Sequence, residues 1–187
     1  SYIETIYKYN FNTEIVNFLN KRKFEYFKKK TLIINIPSSI EKTWNEISSR
    51  ARNMVRKSKK NKIEVSIIKP SLEWMNEYYN MLEKTFKKQK LSAPHSKNFY
   101  SDLLILDTSK NLLCLTARLN NQSVGHAIFL KDKYRMTYFS GTSNTVGNKN
   151  AASSLLLWNS IKYCSEHNIP EFDLGGIGNQ NIDKFKT

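Results

Sequence analysis

The sequence predicts a mixed α/β domain of the α+β type, with a largely antiparallel central sheet flanked by helices. Two observations carry that prediction. Three strand-like runs follow one another in the middle of the chain, Leu112 to Ala117, Val124 to Leu130 and Tyr134 to Ser140, with helical patterns before and after them. No GxGxxG or GxxxxGK[ST] motif occurs, so a dinucleotide-binding or P-loop fold is not expected.

The elements follow in order. Tyr2 to Tyr9 has no decisive pattern, and Thr13 to Lys21 reads as a short helix with Ile15, Phe18 and Leu19 on one side. Leu32 to Ile36 is an apolar, β-branched run and predicts a strand. Ser38 and Glu41 have capping-box spacing, so one helix is expected from Ser38 to Lys62, with Trp44, Ile47, Ala51, Met54 and Val55 on an apolar arc. Ile63 to Ile68 predicts a second strand. Ser71 then caps a helix whose buried stripe is Trp74, Tyr78, Met81, Leu82 and Phe86. Ser92 to Lys97 is a loop and Asn98 to Leu106 a helix. The three central runs, separated by Asn120-Asn121 and Lys131-Asp132-Lys133, form an expected antiparallel meander. Gly141 to Asn150 reads as a polar loop, Ala151 to Glu166 as a helix with Leu155, Trp158 and Ile161 inward, and Phe172 to Leu174 as a short strand before Gly175-Gly176.

The 187 residues carry 30 Lys plus Arg against 16 Asp plus Glu, a net charge of +14, with 40% hydrophobic and 12% aromatic residues. That composition supports a real core and excludes collagen-like and disordered classes. Cys114 and Cys164 are too few to staple the domain and stand in no metal-type pair, so both read as reduced packing residues in a cytosol-like compartment. No metal and no bound cofactor is expected. No run approaches membrane-spanning length.

A basic chain is drawn to polyanions such as RNA, phosphate-bearing metabolites or an anionic membrane surface. Scattered lysines do not choose among them, but three arginines, Arg50, Arg52 and Arg56, share the expected basic helix with Lys57, Lys59 and Lys60. Arg is the better phosphate fork, which favours a phosphate contact by Arg52, Arg56 and Lys59 over a merely solvated face.

Three segments in this order resemble the Fem family, aminoacyl-tRNA-dependent transferases that build peptidoglycan cross-bridges on a GNAT-like fold. They are TLIINIPSSIEKTWNEISSRARNMVRKSKKNKIEV, EYYNMLEKTFKKQK and EFDLGGIGNQNIDKFK. The resemblance runs from about Thr31 to Lys186. It implies that 31–187 is a GNAT-like acyltransferase domain, the C-terminal half of a two-lobed protein cut short at its C-terminus, and that 1–30 is a remnant of the preceding lobe. The donor would be aminoacyl-tRNA and the acceptor an amine of a peptidoglycan precursor such as lipid II. Such a protein would be cytoplasmic, with room for peripheral contact at the inner face of the membrane. One departure concerns the acetyl-CoA signature of GNAT enzymes, a Gly-rich turn at a helix start. The matching place reads Val146-Gly147-Asn148-Lys149-Asn150-Ala151, which leaves a coenzyme pyrophosphate less backbone room.

The implied chemistry is attack of an amine on an activated acyl carbonyl. No convincing Ser-His-Asp or Cys-His set is present, so direct transfer is the consistent choice. It needs two positioned substrates, a donor for the developing oxyanion and a route for the amine's proton. By resemblance, Lys186 beside Phe185 is the oxyanion partner. Asp173 could orient the amine, although an Asp before a Gly pair more often holds a turn. Gly175 and Gly176 would let the chain approach a ligand or take positive φ. Tyr138, Ser140 and Thr142 lie where such a sheet splays to admit an acyl donor; Tyr138 is a candidate proton donor and Thr142 a candidate substrate contact. His126, between apolar neighbours, reads as a core histidine. Two alternatives remain open: an N-acyltransferase using acyl-CoA or an acyl carrier, and a non-catalytic nucleic-acid-binding module. The second would place stacking aromatics among the basic residues, and between Arg50 and Lys62 there are none.

Overall fold

The computed structural model describes residues 17–18, 21–22, 31–37, 39–108 and 110–176. The chain divides into two compact units, Ser1–Lys30 and Thr31–Thr187. In the first, residues 17, 18 and 21 are helical, inside the expected Thr13 to Lys21 helix, and Arg22 lies over the Phe18 ring.

The second unit opens with β1 (Thr31–Asn35). The basic stretch then departs from expectation: it is two helices, α1 (Ile40–Glu46) and α2 (Ser49–Lys60). Ile47 turns extended and enters the core, and the Ser48 hydroxyl accepts from Ala51 N–H at 3.1 Å, capping α2. A serine that satisfies a free backbone donor makes a helix start cheaper than continuation. The first helix is flanked by Ser39, whose side chain makes no capping bond, and Ser38 lies outside the described residues.

After β2 (Glu64–Ile68), Ser71 caps α3 (Leu72–Lys88) as expected, and Trp74, Met75, Tyr78 and Leu82 form its buried stripe, while Met81 and Phe86 are half-buried. The expected helix after the loop is instead two short ones, α4 (Lys97–Asp102) and α5 (Ile105–Thr108). The meander is β3 (Leu112–Leu119), β4 (Gln122–Lys131) and β5 (Arg135–Ser143). Asn120 and Asn121 both take positive φ, 49° and 63°, the geometry of a two-residue hairpin that follows the strand twist. The polar stretch from Gly141 to Asn150 is not a loop: β5 continues to Ser143 and a short helix α6 (Thr145–Lys149) follows, with Asn144 accepting from Gly147 N–H at 2.9 Å. Then come α7 (Ala152–Glu166) and β6 (Glu171–Gly176).

The six strands form one sheet in the order β1-β6-β5-β4-β3-β2. All neighbours are antiparallel except β5 and β6, which are parallel and joined by the α6–α7 crossover. Helices cover both faces, which is why Leu112–Ala117 and Val124–Phe129 are buried without a break. On one face α2 and α7 pack over Phe129, Met136 and Phe172. On the other, α3 and α4 pack over Cys114 and Ile128.

Candidate active site

The site begins where two parallel strands part. Register pairs join β5 to β6 at Arg135–Glu171, Met136–Phe172 and Thr137–Asp173, and there the ladder ends. Beyond it, β5 runs on from Tyr138 to Ser143, paired with β4 and with no other strand among the described residues. This fork gathers Tyr138, Asp173 and Gly175.

A bulge in β5 sets the directions of its side chains. Ile128 pairs with Ser140 and Phe129 with Tyr138, so Phe139 is an extra residue in the ladder. Tyr138 therefore packs with Phe129 on the α7 side, ring centroids 5.6 Å apart. Phe139 and Ser140 both serve the α3 side, where Ser140 accepts from the Tyr78 hydroxyl at 2.5 Å. Burial pushes the Tyr138 phenol up to about 12. At neutral pH it keeps its proton, so it could donate a hydrogen bond but not serve as a base. Gly141 leaves room beside it, because a Cβ there would meet Tyr138 Oη and displace the phenol.

Asp173 is fully buried. Its Oδ1 accepts from Gly175 N–H at 2.8 Å, and the single proton of the Thr31 hydroxyl is shared between that Oδ1 and Gly175 O, the latter at 2.9 Å. Gly175 takes φ +78°, a conformation that favours glycine. Asp173 thus holds the Gly-Gly bend against β1. Its Oδ2 has no hydrogen-bond partner among the described residues and faces Arg135 Nη1 at 3.9 Å. Arg135 in turn donates to Glu171 Oε2 through Nε at 2.9 Å and Nη2 at 2.7 Å, tying β5 to β6 just below the fork.

The remaining expected residues are placed differently. Thr142 is buried and its hydroxyl is shared with Thr85 of α3 at 2.9 Å, so it joins helix to strand. Gly176 ends β6 opposite Thr31. The α2 residues are organised around α1: Arg52 Nη1 donates to the carbonyls of Asn45 at 2.9 Å and Ile47 at 2.5 Å, and Arg56 lies 5.5 Å over the Trp44 ring and donates to Asn53. These two guanidinium groups are partly spent on closing the end of α1. Lys59 is exposed. Lys186 and Phe185 lie outside the described residues.

His126 is buried, as expected for a core histidine, but its surroundings are more specific. The Thr116 hydroxyl accepts from Trp74 Nε1–H at 2.8 Å and meets His126 Nδ1 at 3.1 Å. Nε2 faces Glu77 Oε1 at 3.5 Å, and a carboxylate there favours the tautomer with the proton on Nε2, which leaves Nδ1 to accept from the Thr116 hydroxyl. Burial holds the imidazole pKa below its ordinary value, against the pull of Glu77. Both cysteine thiols are pushed up to about 12 by burial, which removes them as nucleophiles.

A family model described as "Acetyltransferase (GNAT) domain" matches residues 47–187. The chain belongs to the GNAT acetyltransferase domain family. This GNAT domain has the mixed, largely antiparallel sheet expected for it. Among solved structures it is similar to FemX, at TM-score 0.70 and 12% identity, covering 90% of this chain and 61% of that one. It is also similar to L-PGS from Bacillus licheniformis, at TM-score 0.58 and 12% identity, covering 90% and 54%. An aminoglycoside acetyltransferase from an uncultured soil metagenomic sample matches at TM-score 0.50 and 14% identity, covering 65% and 82%. The GNAT chain thus spans about three fifths of FemX, and at these identities the likeness is one of fold. No curated protein sequence matches it significantly.

Several parts of the site were not foreseen in the sequence: Thr31, Arg135 and Glu171 around Asp173, Tyr78 on Ser140, and Glu77 on His126. Thr31 and Asp173 are 142 residues apart, and no local spacing joins them. A partial signal existed for Tyr78 and Glu77, which lie on adjacent positions of a helix recognised by its stripe.

Proposed function

We propose that this domain transfers an aminoacyl group from aminoacyl-tRNA directly to an amine of a peptidoglycan precursor, with the β5–β6 fork as the place of reaction. The observation that carries the reading is the end of the parallel ladder at Thr137–Asp173, with Tyr138 and the Asp173-braced bend on its two sides. Exposed backbone of β5 would hold the acyl donor there, and the rigid bend would keep the opposite wall in place. Tyr138 supplies a proton or hydrogen bond, since its phenol stays protonated. Asp173, fully buried and already accepting at Oδ1, positions the bend rather than taking the amine's proton. Lys186, steered by Phe185, is proposed as the oxyanion partner, and Arg56, Lys59, Gly175 and Gly176 as the surrounding substrate shell. The resemblance of EFDLGGIGNQNIDKFK to the Fem family supports the donor.

A second reading, N-acyl transfer from acyl-CoA, is favoured by membership of an acetyltransferase family. The two separate in one assay. The chain is incubated with a muropeptide precursor and either aminoacyl-tRNA or acetyl-CoA, and the acceptor is weighed by mass spectrometry. Transfer from neither donor, or from acetyl-CoA alone, rejects the leading proposal. Lys186→Met should abolish transfer with an unchanged melting temperature, and undiminished turnover would remove Lys186 from the mechanism.

A further inference from the structure

The strand that carries Tyr138 changes face in mid-course. On a regular strand alternate residues share a side, so Met136, Tyr138, Ser140 and Thr142 would all point the same way. They do not. Met136 and Tyr138 pack on the α7 side, whereas Ser140 and Thr142 bond to Tyr78 and Thr85 of α3. After the switch the α7 side belongs to Gly141, beneath Tyr138 Oη, and to Ser143, whose hydroxyl meets that of Ser153 in α7 at 2.9 Å. The extra residue Phe139 makes the change, immediately past the last β5–β6 pair at Thr137–Asp173. A bulge nearer the start of β5 would carry Tyr138 into the register of Ser140 and Thr142 and turn it toward α3, away from the fork.

The position of the bulge therefore decides where Tyr138 points, and β6 does not hold it, because β6 has already parted from β5. Ring contacts of Phe139 with Phe99 and Tyr100, centroids 6.1 and 6.4 Å apart, fill the space beside the bulge but carry no directional bond. The first directional hold past the bulge is Ser140 Oγ, which accepts from Tyr78 Oη at 2.5 Å. Tyr78 is wholly buried, stacked on Trp74 at 5.7 Å and set against Tyr100 at 5.3 Å, so its oxygen cannot follow a sliding strand. Burial raises the Tyr78 phenol well above its ordinary value, which keeps it a donor at neutral pH. We infer that Tyr78 is a positioning residue for the transfer: its hydroxyl, through Ser140, fixes the bulge in β5 and so keeps Tyr138 at the fork. The part this plays in the reaction rests on the acyl-transfer reading; the mechanical link from Tyr78 to Tyr138 does not.

The test compares the whole chain with three variants. Tyr78→Phe and Ser140→Ala each remove one oxygen of the pin and keep the packing, while Thr85→Val removes the other hydroxyl bond between α3 and β5. Nuclear Overhauser contacts between the Tyr138 and Phe129 rings, whose centroids lie 5.6 Å apart, report where Tyr138 points. They should weaken by about half or more in Tyr78→Phe and Ser140→Ala, as the bulge samples other registers, and stay at parent strength in Thr85→Val. Parent-strength contacts in the first two variants, even with a lowered melting temperature, would make Tyr78–Ser140 an ordinary core pair and overturn the inference. Equal weakening in Thr85→Val would assign the effect to a general loosening of α3 and overturn it too. In the transfer assay Tyr78→Phe should lower kcat about tenfold with KM within about twofold, and should cost nothing further in a Tyr138→Phe background. Additive losses would reject the route through Tyr138. A chain that transfers nothing would sink the acyl-transfer reading, with the ring contacts still deciding the link between the two tyrosines.

Discussion

Replacing Thr116 by Val would remove one oxygen and keep the shape of the side chain. In the folded protein that oxygen receives the Trp74 indole N–H at 2.8 Å and gives its proton to His126 Nδ1 at 3.1 Å. Thr116 and His126 are wholly buried and Trp74 is 6% exposed, so water cannot stand in without disrupting the α3–sheet contact. Thr116→Val therefore orphans one buried donor and one buried acceptor, each costing about 1–3 kcal/mol. At the middle of that range the loss is about 4 kcal/mol. For a chain of this size about 2–4 °C of melting temperature goes with each kcal/mol, so the midpoint should fall by about 8–16 °C. Thr116→Ser keeps the oxygen and loses one buried methyl, worth about 1 kcal/mol. Thermal unfolding followed by circular dichroism compares the three proteins. If the Val variant melts within about 2 °C of the parent, or together with the Ser variant, the assigned hydrogen-bond chain is wrong.

The same chain makes stability depend on pH. The His126 pKa is lowered by burial, so below about pH 6.5 the unfolded state takes up a proton that the folded state refuses. Stability should be full above that pH and decline as the pH falls through the folded value, and His126→Gln should flatten urea midpoints measured between pH 7.5 and 5; an equal slope in both proteins would assign the dependence to other groups. At Gly147 a Cβ would collide with the Val124 carbonyl and come within 3.2 Å of Ser143 Cβ. Gly147→Ala should consequently lower the urea midpoint by about 1–3 kcal/mol equivalent, and no change would show that α6 stands off from β4. Asp173→Asn retains Oδ1 for Thr31 and Gly175, whereas Asp173→Ala leaves both donors without it. The Asn variant should keep most of its stability and transfer, and the Ala variant should lose both together; an Asn variant that is stable but inert would make Asp173 a proton acceptor instead of a brace.

The pattern of apolar positions determined most of the elements, because it depends only on neighbours within a turn or a strand. The α3 stripe with its Ser71 cap, the two-asparagine hairpin between β3 and β4, and the inward face of α7 all follow from such local rules. The break at Ile47–Ser48 escaped, since an unbroken helical periodicity runs through it and the decision lies with one hydroxyl and with the burial of Ile47. The end of β5 escaped for a related reason: Gly141 to Asn150 is polar in composition, yet pairing with β4 carries it to Ser143 and close packing on Val124 winds the next residues into α6.

The site divides in the same way. Residue types and their order named Tyr138, Asp173, Gly175 and Thr142 as candidates. Only tertiary structure decided what each touches, because those contacts join distant parts of the chain. Asp173 became a brace once β1 delivered Thr31 to it, and Thr142 a strut once Thr85 arrived from α3. Arg52, attractive as a phosphate fork when read alone, was turned by the helix break toward the carbonyls that the break left open. Charge is written in the sequence, but whether a charge is solvated or paired is a matter of which surfaces the fold brings face to face.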